Sequence, residues 1–207
     1  AGDQYLIPNP VADEFFRIKH EEKPGRILFA GRLYALKGVH DLIRAVSTLK
    51  VNHEWELVLA GSVHDREYVD YLKAEIAKSD LIKRVRFLGL LGPEEYRRNL
   101  QEAAILALPS YQETAPMVVT EAMACGVPVV ATDVGGVKYQ VVEGETGFIV
   151  EPGCTSQLAD RLSLLLGNPL LRSQFGHAAR KKAKGVFQSE QVADKTASVY
   201  HAAISKP

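Results

Sequence analysis

The sequence predicts an α/β protein built on one doubly wound, parallel sheet of about six strands, Rossmann-like in arrangement, with a helical C-terminal tail. Two observations lead to this prediction. Short apolar runs rich in β-branched residues alternate with longer amphipathic runs, which is typical of βαβ units. The chain has 207 residues, of which 46% are hydrophobic and 24% are charged. That length and composition are ordinary for one well-packed domain.

Each strand is predicted from a short apolar run. The first run, 26–31, reads Arg-Ile-Leu-Phe-Ala-Gly, and the fourth, 104–108, is followed at once by Pro109. Proline has no N–H to give to a sheet, so it marks the end of that strand. The other strands are expected at 55–60, 85–88, 127–131 and 147–150.

The helices are predicted from apolar residues at helical spacing and from residues that favour helix ends. Segment 38–50 carries its apolar residues on one face. These are Val39, Leu42, Ile43, Val46 and Leu49. Pro93 suits the first position of a short helix, and Gly126 is a C-cap signal after a helix at 117–125. Another helix is expected at 65–79, and three more follow Thr155, with breaks at 167–169 and near Gly185.

The domain organisation is predicted in three parts. Residues 1–23, with Pro8 and Pro10, read as an extended entry segment between two domains, outside the core. Residues 24–187 form the Rossmann-like domain, and residues 188–207 form a C-terminal helix. No repeat or long linker divides the chain further.

Charge and cysteine content exclude several classes of function. Lys plus Arg and Asp plus Glu both number 25, and the lack of a basic excess argues against a nucleic-acid partner. Cys125 and Cys154 form no disulfide framework, and no metal site is predicted from them or from the scattered histidines. No apolar run approaches the roughly 18 residues that span a membrane. We therefore expect a cytoplasmic protein.

The loop after the first strand is a candidate phosphate site. In doubly wound sheets, ligands bind beyond the carboxyl ends of the strands. Arg32 and Lys37 lie there, just before the N-terminus of the helix at 38–50, so two cations adjoin free backbone N–H groups. Basic loop residues taken alone are more often solvated surface. The loop matches neither the Walker A motif nor the G-x-G-x-x-G motif.

The loop after the fourth strand carries two glutamates. Glu113 lies in the loop, and Glu121 lies about one turn into the helix that begins after Pro116. Carboxylates accept hydrogen bonds from hydroxyl groups, and the amides near Met117 and Val118 face outward at the positive end of the helix. A sugar diphosphate would suit this arrangement. For either glutamate alone, a structural role is an equally good explanation, since a first-turn glutamate complements the helix dipole.

These motifs together resemble the C-terminal domain of the retaining glycosyltransferases of family 4, which have the GT-B architecture of two facing Rossmann-like domains. The resemblance covers nearly the whole chain and keeps the order of the family's motifs. It rests on Ile7-Pro8-Asn9-Pro10, Gly31-Arg32-Leu33, Lys37-Gly38, Gly61, 87–89, Pro109-Ser110, Glu113 with Glu121, 121–132, Gly135-Gly136 and 147–150.

The resemblance implies a role for each matching residue. Arg32 and Lys37 would hold the donor diphosphate, and with Glu113 they would form the catalytic set. Glu113 would contact hydroxyls of the transferred sugar, and Glu121 would accept hydrogen bonds from the ribose. The implied donor-binding residues are Gly31, Arg32, Lys37, Gly61, Leu90, Leu91, Glu113, Ala115, Pro116, Met117, Val118 and Glu121.

The resemblance also implies the chemistry. A nucleoside diphosphate sugar is the donor substrate, and its sugar is transferred with retention of configuration, with no cofactor and no metal. Cations and a helix N-terminus can stabilise the leaving diphosphate. One departure is visible: many relatives have Gly-Gly-aliphatic-Pro-Glu where this chain has Gly135-Gly136-Val137-Lys138-Tyr139. This segment could alter the sugar pocket.

Several alternatives stay open at this point. A GT-B enzyme needs an N-terminal domain for its acceptor, so we expect this chain to be part of a longer enzyme and inactive by itself. Any membrane contact would be made through that N-terminal domain. The alternatives are a stand-alone nucleotide-sugar-binding subunit or sensor, and a GT-B sugar-nucleotide epimerase. Base, sugar and acceptor are not predicted.

Overall fold

The computed structural model describes residues 5–204, and within them six strands form one parallel sheet. The strands are β1 (Arg26–Ala30), β2 (Glu56–Ala60), β3 (Val85–Gly89), β4 (Ile105–Leu108), β5 (Val129–Thr132) and β6 (Gly147–Val150). Their order across the sheet is β3-β2-β1-β4-β5-β6. The predicted doubly wound sheet is confirmed, with strand ends one or two residues from those expected.

The strand order reverses between β1 and β4. The chain first adds β2 and β3 on one side of β1, and then returns to add β4, β5 and β6 on the other side. Ile27 pairs with Ile105 across this junction. Because the loops after β1 and β4 diverge from neighbouring strands, a crevice opens at their carboxyl ends. Arg32, Lys37 and Glu113 lie in these two loops.

Nine helices flank the sheet within residues 5–204. They are α1 (Asp13–Arg17), α2 (Val39–Ser47), α3 (Arg66–Lys78), α4 (Pro93–Glu102), α5 (Met117–Cys125), α6 (Val137–Gln140), α7 (Thr155–Leu166), α8 (Pro169–Val186) and α9 (Ser189–Ile204). Helix α2 packs on α3 and α7, whereas α5 packs on α1 and α8. Strand side chains such as Ile27, Leu28 and Phe29 are therefore fully buried, as expected for a parallel sheet covered on both faces.

The entry segment differs from the prediction. We expected it to be extended and outside the core, but it contains helix α1, and Val11 and Phe15 belong to the core. The backbone N–H of Val11 donates to the carbonyl of Phe187 at 2.7 Å, and Arg180 donates to the carbonyls of Phe16 and Ile18. Burial of two apolar side chains outweighs the interruption by Pro8 and Pro10. That residues 1–23 connect two domains stays a prediction; residues 1–4 lie outside the described part.

The C-terminal helices follow the predicted pattern. The break at 167–169 separates α7 from α8, and Asn168 caps α8 by accepting a hydrogen bond from the N–H of Leu171. Helix α9 corresponds to the helix expected at 188–207, of which residues 205–207 lie outside the described part. Val192 is its buried residue.

Glycine is required where the loop after β1 meets the loop after β4. Gly38 has φ 63°, and a Cβ at this position would lie 2.0 Å from the carbonyl oxygen of Pro109. Any larger residue would force the two loops apart. The left-handed conformation also disfavours residues that carry a Cβ.

We expect Gly38→Ala to lower the free energy of unfolding by about 1–3 kcal/mol from backbone strain alone, with a further loss from the contact with Pro109. Urea unfolding measures this. The matched control is Gly185→Ala in α8, where a Cβ meets no described atom within 4 Å. The control should be neutral or stabilising, because alanine favours helix. Equal effects of the two substitutions would contradict the close contact.

Candidate functional site

A cleft of about 320 Å³ lies at the carboxyl ends of β1, β2 and β3. It is lined by Ala30, Gly31, Arg32, Ala60, Gly61, Ser62, Leu90, Leu91 and Tyr96. Five of the residues singled out in the sequence, Gly31, Arg32, Gly61, Leu90 and Leu91, therefore share one cavity. Ser62 and Tyr96 were not predicted.

Main chain forms one wall of this cleft. Gly61 has φ 147°, and a Cβ there would lie 1.8 Å from the carbonyl oxygen of Gly31. The N–H of Gly31 donates to Ala60 at 2.9 Å, and the N–H of Gly61 donates to Gly89 at 2.7 Å. The ends of the three strands are thus held close together, so a ligand can approach the backbone without meeting side chains.

Arg32 places a positive charge at the rim of the cleft. Its guanidinium lies over the Tyr34 ring, 5.4 Å from the ring centroid. Among residues 5–204, no carboxylate forms an ion pair with it. The charge of Arg32 is therefore available to an anion, and the aromatic ring beneath it restrains the side chain.

Lys37 and Glu113 form an ion pair with each other. Lys37 Nζ lies 2.5 Å from Glu113 Oε1, and the hydroxyl of Ser110 donates to the same oxygen at 2.7 Å. The side chains of Lys37 and Glu113 are only 14% and 10% exposed. The sequence predicted both residues at the site but not that they pair. In this pair, Oε1 of Glu113 already accepts hydrogen bonds from Lys37 and Ser110.

A second contact joins the same two loops behind this ion pair. The hydroxyl of Tyr111 donates to Asp41 Oδ2 at 2.5 Å, and the N–H of Tyr111 donates to the carbonyl of Leu36 at 2.8 Å. The hydrogen bond to Asp41 raises the pKa of Tyr111 to about 12, so its hydroxyl stays a donor. The ring of His40 stacks on Tyr111, with centroids 5.9 Å apart. These contacts hold the segments that carry Lys37 and Glu113 next to each other.

Helix α5 begins directly after the loop that carries Glu113, and its first residues do not line the cleft. Its first residue, Met117, follows Pro116, which makes no side-chain cap, so the first amides keep unused hydrogen-bonding capacity. The preceding loop is held from behind. The N–H of Gly136 donates to the carbonyl of Thr114 at 2.7 Å, and Gln140 Nε2 donates to the carbonyl of Pro116 at 3.3 Å.

Glu121 lies one turn further along α5 and is bonded to Tyr96. The Tyr96 hydroxyl donates to Glu121 Oε2 at 2.5 Å. Burial raises the pKa of Glu121, and the hydrogen bond from Tyr96 acts in the opposite direction. The sequence gives no signal for Tyr96, because this residue lies inside α4 and reaches Glu121 only through a tertiary contact.

A second cavity, of about 370 Å³, lies behind the loop that carries Glu113. Ala115, Gly135, Gly136, Tyr139 and Gln140 line it, together with residues 6–9. Ala115 thus lines this cavity and not the cleft. The unusual Lys138-Tyr139 segment is adjacent to the loop, since Tyr139 forms part of the cavity wall and Lys138 Nζ lies 5.5 Å from the centroid of the Tyr139 ring.

The described residues also bear on metal binding and on membrane insertion. Within the described part of the chain, no group of three or more His, Cys, Asp or Glu side chains is placed to hold a metal ion. None of the described helices is long and apolar enough to cross a bilayer.

Comparison with known proteins gives a family match. The family model described as "Glycosyl transferases group 1" matches residues 11–182. The glycogen synthase of Mycobacterium tuberculosis is 34% identical over 181 residues, which are 87% of this chain and 43% of that protein. The chain therefore spans less than half the length of this relative.

Solved structures share the fold of this chain over about half of their own length. Sucrose-phosphate synthase from Thermosynechococcus elongatus has a TM-score of 0.85 and 26% identity, over 99% of this chain and 54% of that one. The HepE protein of Anabaena, solved in complex with UDP and glucose, has a TM-score of 0.78 and 26% identity, over 86% of this chain and 48% of that one. This likeness agrees with the fold expected from the sequence, which is one half of a GT-B architecture.

The ion pair in the site predicts strong coupling between its members. Lys37→Met and Glu113→Gln should each destabilise the protein, because each leaves a shielded partner without its counter-charge. In the double variant much of this loss should be recovered. We expect a coupling free energy of about 1–3 kcal/mol from a double-mutant cycle measured by urea unfolding.

The exposed pair Lys73–Asp70 is the control for this cycle. Its atoms are 3.3 Å apart, but its side chains are 61% and 74% exposed, so its coupling should be below about 1 kcal/mol. If Lys37–Glu113 couples as weakly as this surface pair, the arrangement described for the site is wrong.

Proposed function

Because the chain belongs to the group 1 glycosyl transferases, we propose that it is the donor-binding part of a retaining glycosyltransferase. Its donor is a nucleoside diphosphate sugar, and its acceptor is held by an N-terminal Rossmann-like domain. One observation carries the proposal: the cleft at the ends of β1, β2 and β3 holds Arg32, a cation with no carboxylate partner among the described residues, and the loops after β1 and β4 add the Lys37–Glu113 pair and the N-terminus of α5. This combination suits a ligand with a diphosphate beside hydroxyl groups.

The diphosphate is assigned to the basic side of the site. Arg32 has no carboxylate partner among the described residues, so it can pair with phosphate without breaking another contact. Lys37 donates one hydrogen bond to Glu113, and its ammonium group has further N–H donors for a phosphate oxygen. The amides of Met117 and Val118 add the positive end of a helix dipole.

The transferred sugar is assigned to Glu113 and to the backbone around Ala115 and Pro116. Ser110 and Lys37 donate to Oε1 of Glu113, which leaves Oε2 to accept a hydrogen bond from a sugar hydroxyl. The nucleoside end is assigned to the cleft beside Leu90 and Leu91, with Glu121 at the ribose. The UDP complex of HepE supports uridine as the first base to test.

Catalysis in this proposal is electrostatic. As the bond between the sugar and the diphosphate breaks, negative charge grows on the leaving phosphate. Arg32, Lys37 and the N-terminus of α5 are preorganised to stabilise it, and groups of this kind are among the largest contributors to rate acceleration. We propose that these residues do so without a metal ion.

The acceptor domain and the location are further parts of the proposal. The relatives support a partner domain, since the matched part is 43% of the glycogen synthase and 54% of the sucrose-phosphate synthase. The family match favours transfer over epimerisation. A cytoplasmic location stays a prediction.

The roles of the two glutamates provide the test. UDP, GDP and ADP are first screened by thermal shift, and the best ligand is then titrated beside its glucose ester. Glu121→Ala should weaken both ligands alike, by roughly 10- to 150-fold, because it removes a hydrogen bond to a charged group. Glu113→Ala should leave the affinity for the nucleoside diphosphate unchanged or slightly improved, since Lys37 is released, and should abolish the extra affinity that glucose provides.

Melting curves of both variants serve as the control, because a purely structural role predicts losses in binding that follow losses in stability. Equal effects of Glu113→Ala on the two ligands would refute its assignment to the sugar. Failure of the wild-type chain to bind any of the three nucleoside diphosphates would refute the proposed function.

A further inference from the structure

One side chain touches both the cleft and the carboxylate of Glu121. The Tyr96 ring lines the cleft beside Leu91, while its hydroxyl bonds Glu121 across the gap between α4 and α5. The ring packs edge-on against Phe15 of α1, with centroids 6.1 Å apart. Tyr96 is thus fixed from behind by the core, and its hydroxyl is fixed at the carboxylate.

The hydrogen bond divides the two oxygens of Glu121. Oε2 accepts from Tyr96. Within residues 5–204, no side chain or backbone N–H donates to Oε1. A carboxylate held through one oxygen presents the other in a single orientation, and an ionised carboxylate can only accept hydrogen bonds. A donor such as a ribose hydroxyl suits this free oxygen.

The surroundings of Glu121 give Tyr96 a particular importance. No basic side chain among the described residues forms an ion pair with Glu121. Glu14 of α1 is close enough to raise the pKa of Glu121, although Arg97 pairs with Glu14 at 2.8 Å. Arg180 of α8 donates to backbone carbonyls of the entry segment, and buried Cys125 is the other titratable group in contact range.

Tyr96 therefore has to stabilise the ionised form of Glu121. Burial and Glu14 both raise the pKa of this carboxyl, and the hydroxyl of Tyr96 is the group that lowers it. Burial also raises the pKa of Tyr96, which stays protonated and remains a donor.

We propose that Tyr96 is a positioning residue for nucleoside recognition: it holds Glu121 by one oxygen so that the other accepts a ribose hydroxyl, and its ring forms the adjacent cleft wall. This inference rests on the proposed function, since it takes the ligand to be a ribonucleotide. Tyr96, acting through Glu121, thereby contributes to the discrimination between ribose and deoxyribose.

The test compares Tyr96→Phe with the wild-type chain, using UDP, 2′-deoxy-UDP and 3′-deoxy-UDP in calorimetry. Phenylalanine keeps the ring against Phe15 and removes only the hydroxyl. We expect the affinity for UDP to fall roughly 3- to 10-fold. The wild type should bind UDP more tightly than at least one of the two deoxy ligands. In Tyr96→Phe the ratio of these two affinities should fall toward one.

A pH series separates positioning from packing. Loss of the hydroxyl leaves the pKa of Glu121 higher. As the pH falls, the reduced preference for UDP that remains in the variant should therefore disappear at a higher pH than the preference of the wild type. The ratio of UDP to deoxy-UDP affinity removes the ionisation of phosphate from this comparison, because both ligands carry the same diphosphate. Tyr68→Phe is the control: Tyr68 is buried outside the cleft, and its hydroxyl bonds His40 instead. This control should keep both the preference and its pH profile.

Three outcomes are distinguishable. Tyr96→Phe with an unchanged preference and pH profile would overturn the inference, while wild-type binding of UDP still stands. A wild type that binds no nucleotide overturns the proposed function and the inference with it. If Tyr96→Phe fails to fold, Glu121→Gln with Tyr96 intact decides, because it should lose the preference and its pH dependence; retention of both would overturn the inference.

Discussion

The loop after β1 and the loop after β4 touch along their length, and the site depends on this contact. Gly38 packs on the carbonyl of Pro109, and the carbonyl of Leu36 accepts from the N–H of Tyr111. Between these two points Lys37 reaches Glu113. The contact exists because the strand order reverses between β1 and β4, which brings both loops to one crevice. Charges from segments 76 residues apart are thereby brought into one ion pair.

Charged groups of both signs lie in the cleft and in the elements next to it. Arg32 lies at the cleft, and the shielded Lys37–Glu113 pair lies where the two loops meet. Glu121, restrained by Tyr96, lies one turn into α5. In a partly shielded site these charges act more strongly than at an open surface.

Much of the fold could be predicted because its determinants are local. Apolar runs of strand length, Pro93 at a helix start and Gly126 at a helix end identify elements without knowledge of their neighbours. The parts that were missed depend on tertiary contacts. Val11 and Phe15 fold into the core because α5 and α8 offer an apolar surface, and nothing in residues 1–23 alone reports that surface. The pairing of Lys37 with Glu113 and the contact of Tyr96 with Glu121 likewise join residues distant in sequence.

The central claim is that the protein's own cations hold a nucleoside diphosphate in this crevice. Calorimetric titration of the 207-residue chain with UDP in excess chelator tests it most directly, with Arg32→Met beside the wild type. The account predicts saturable binding that the chelator does not change and that Arg32→Met weakens by roughly 10-fold or more, the loss of a charged hydrogen bond. Binding that disappears with the chelator, or that Arg32→Met leaves intact, would contradict it.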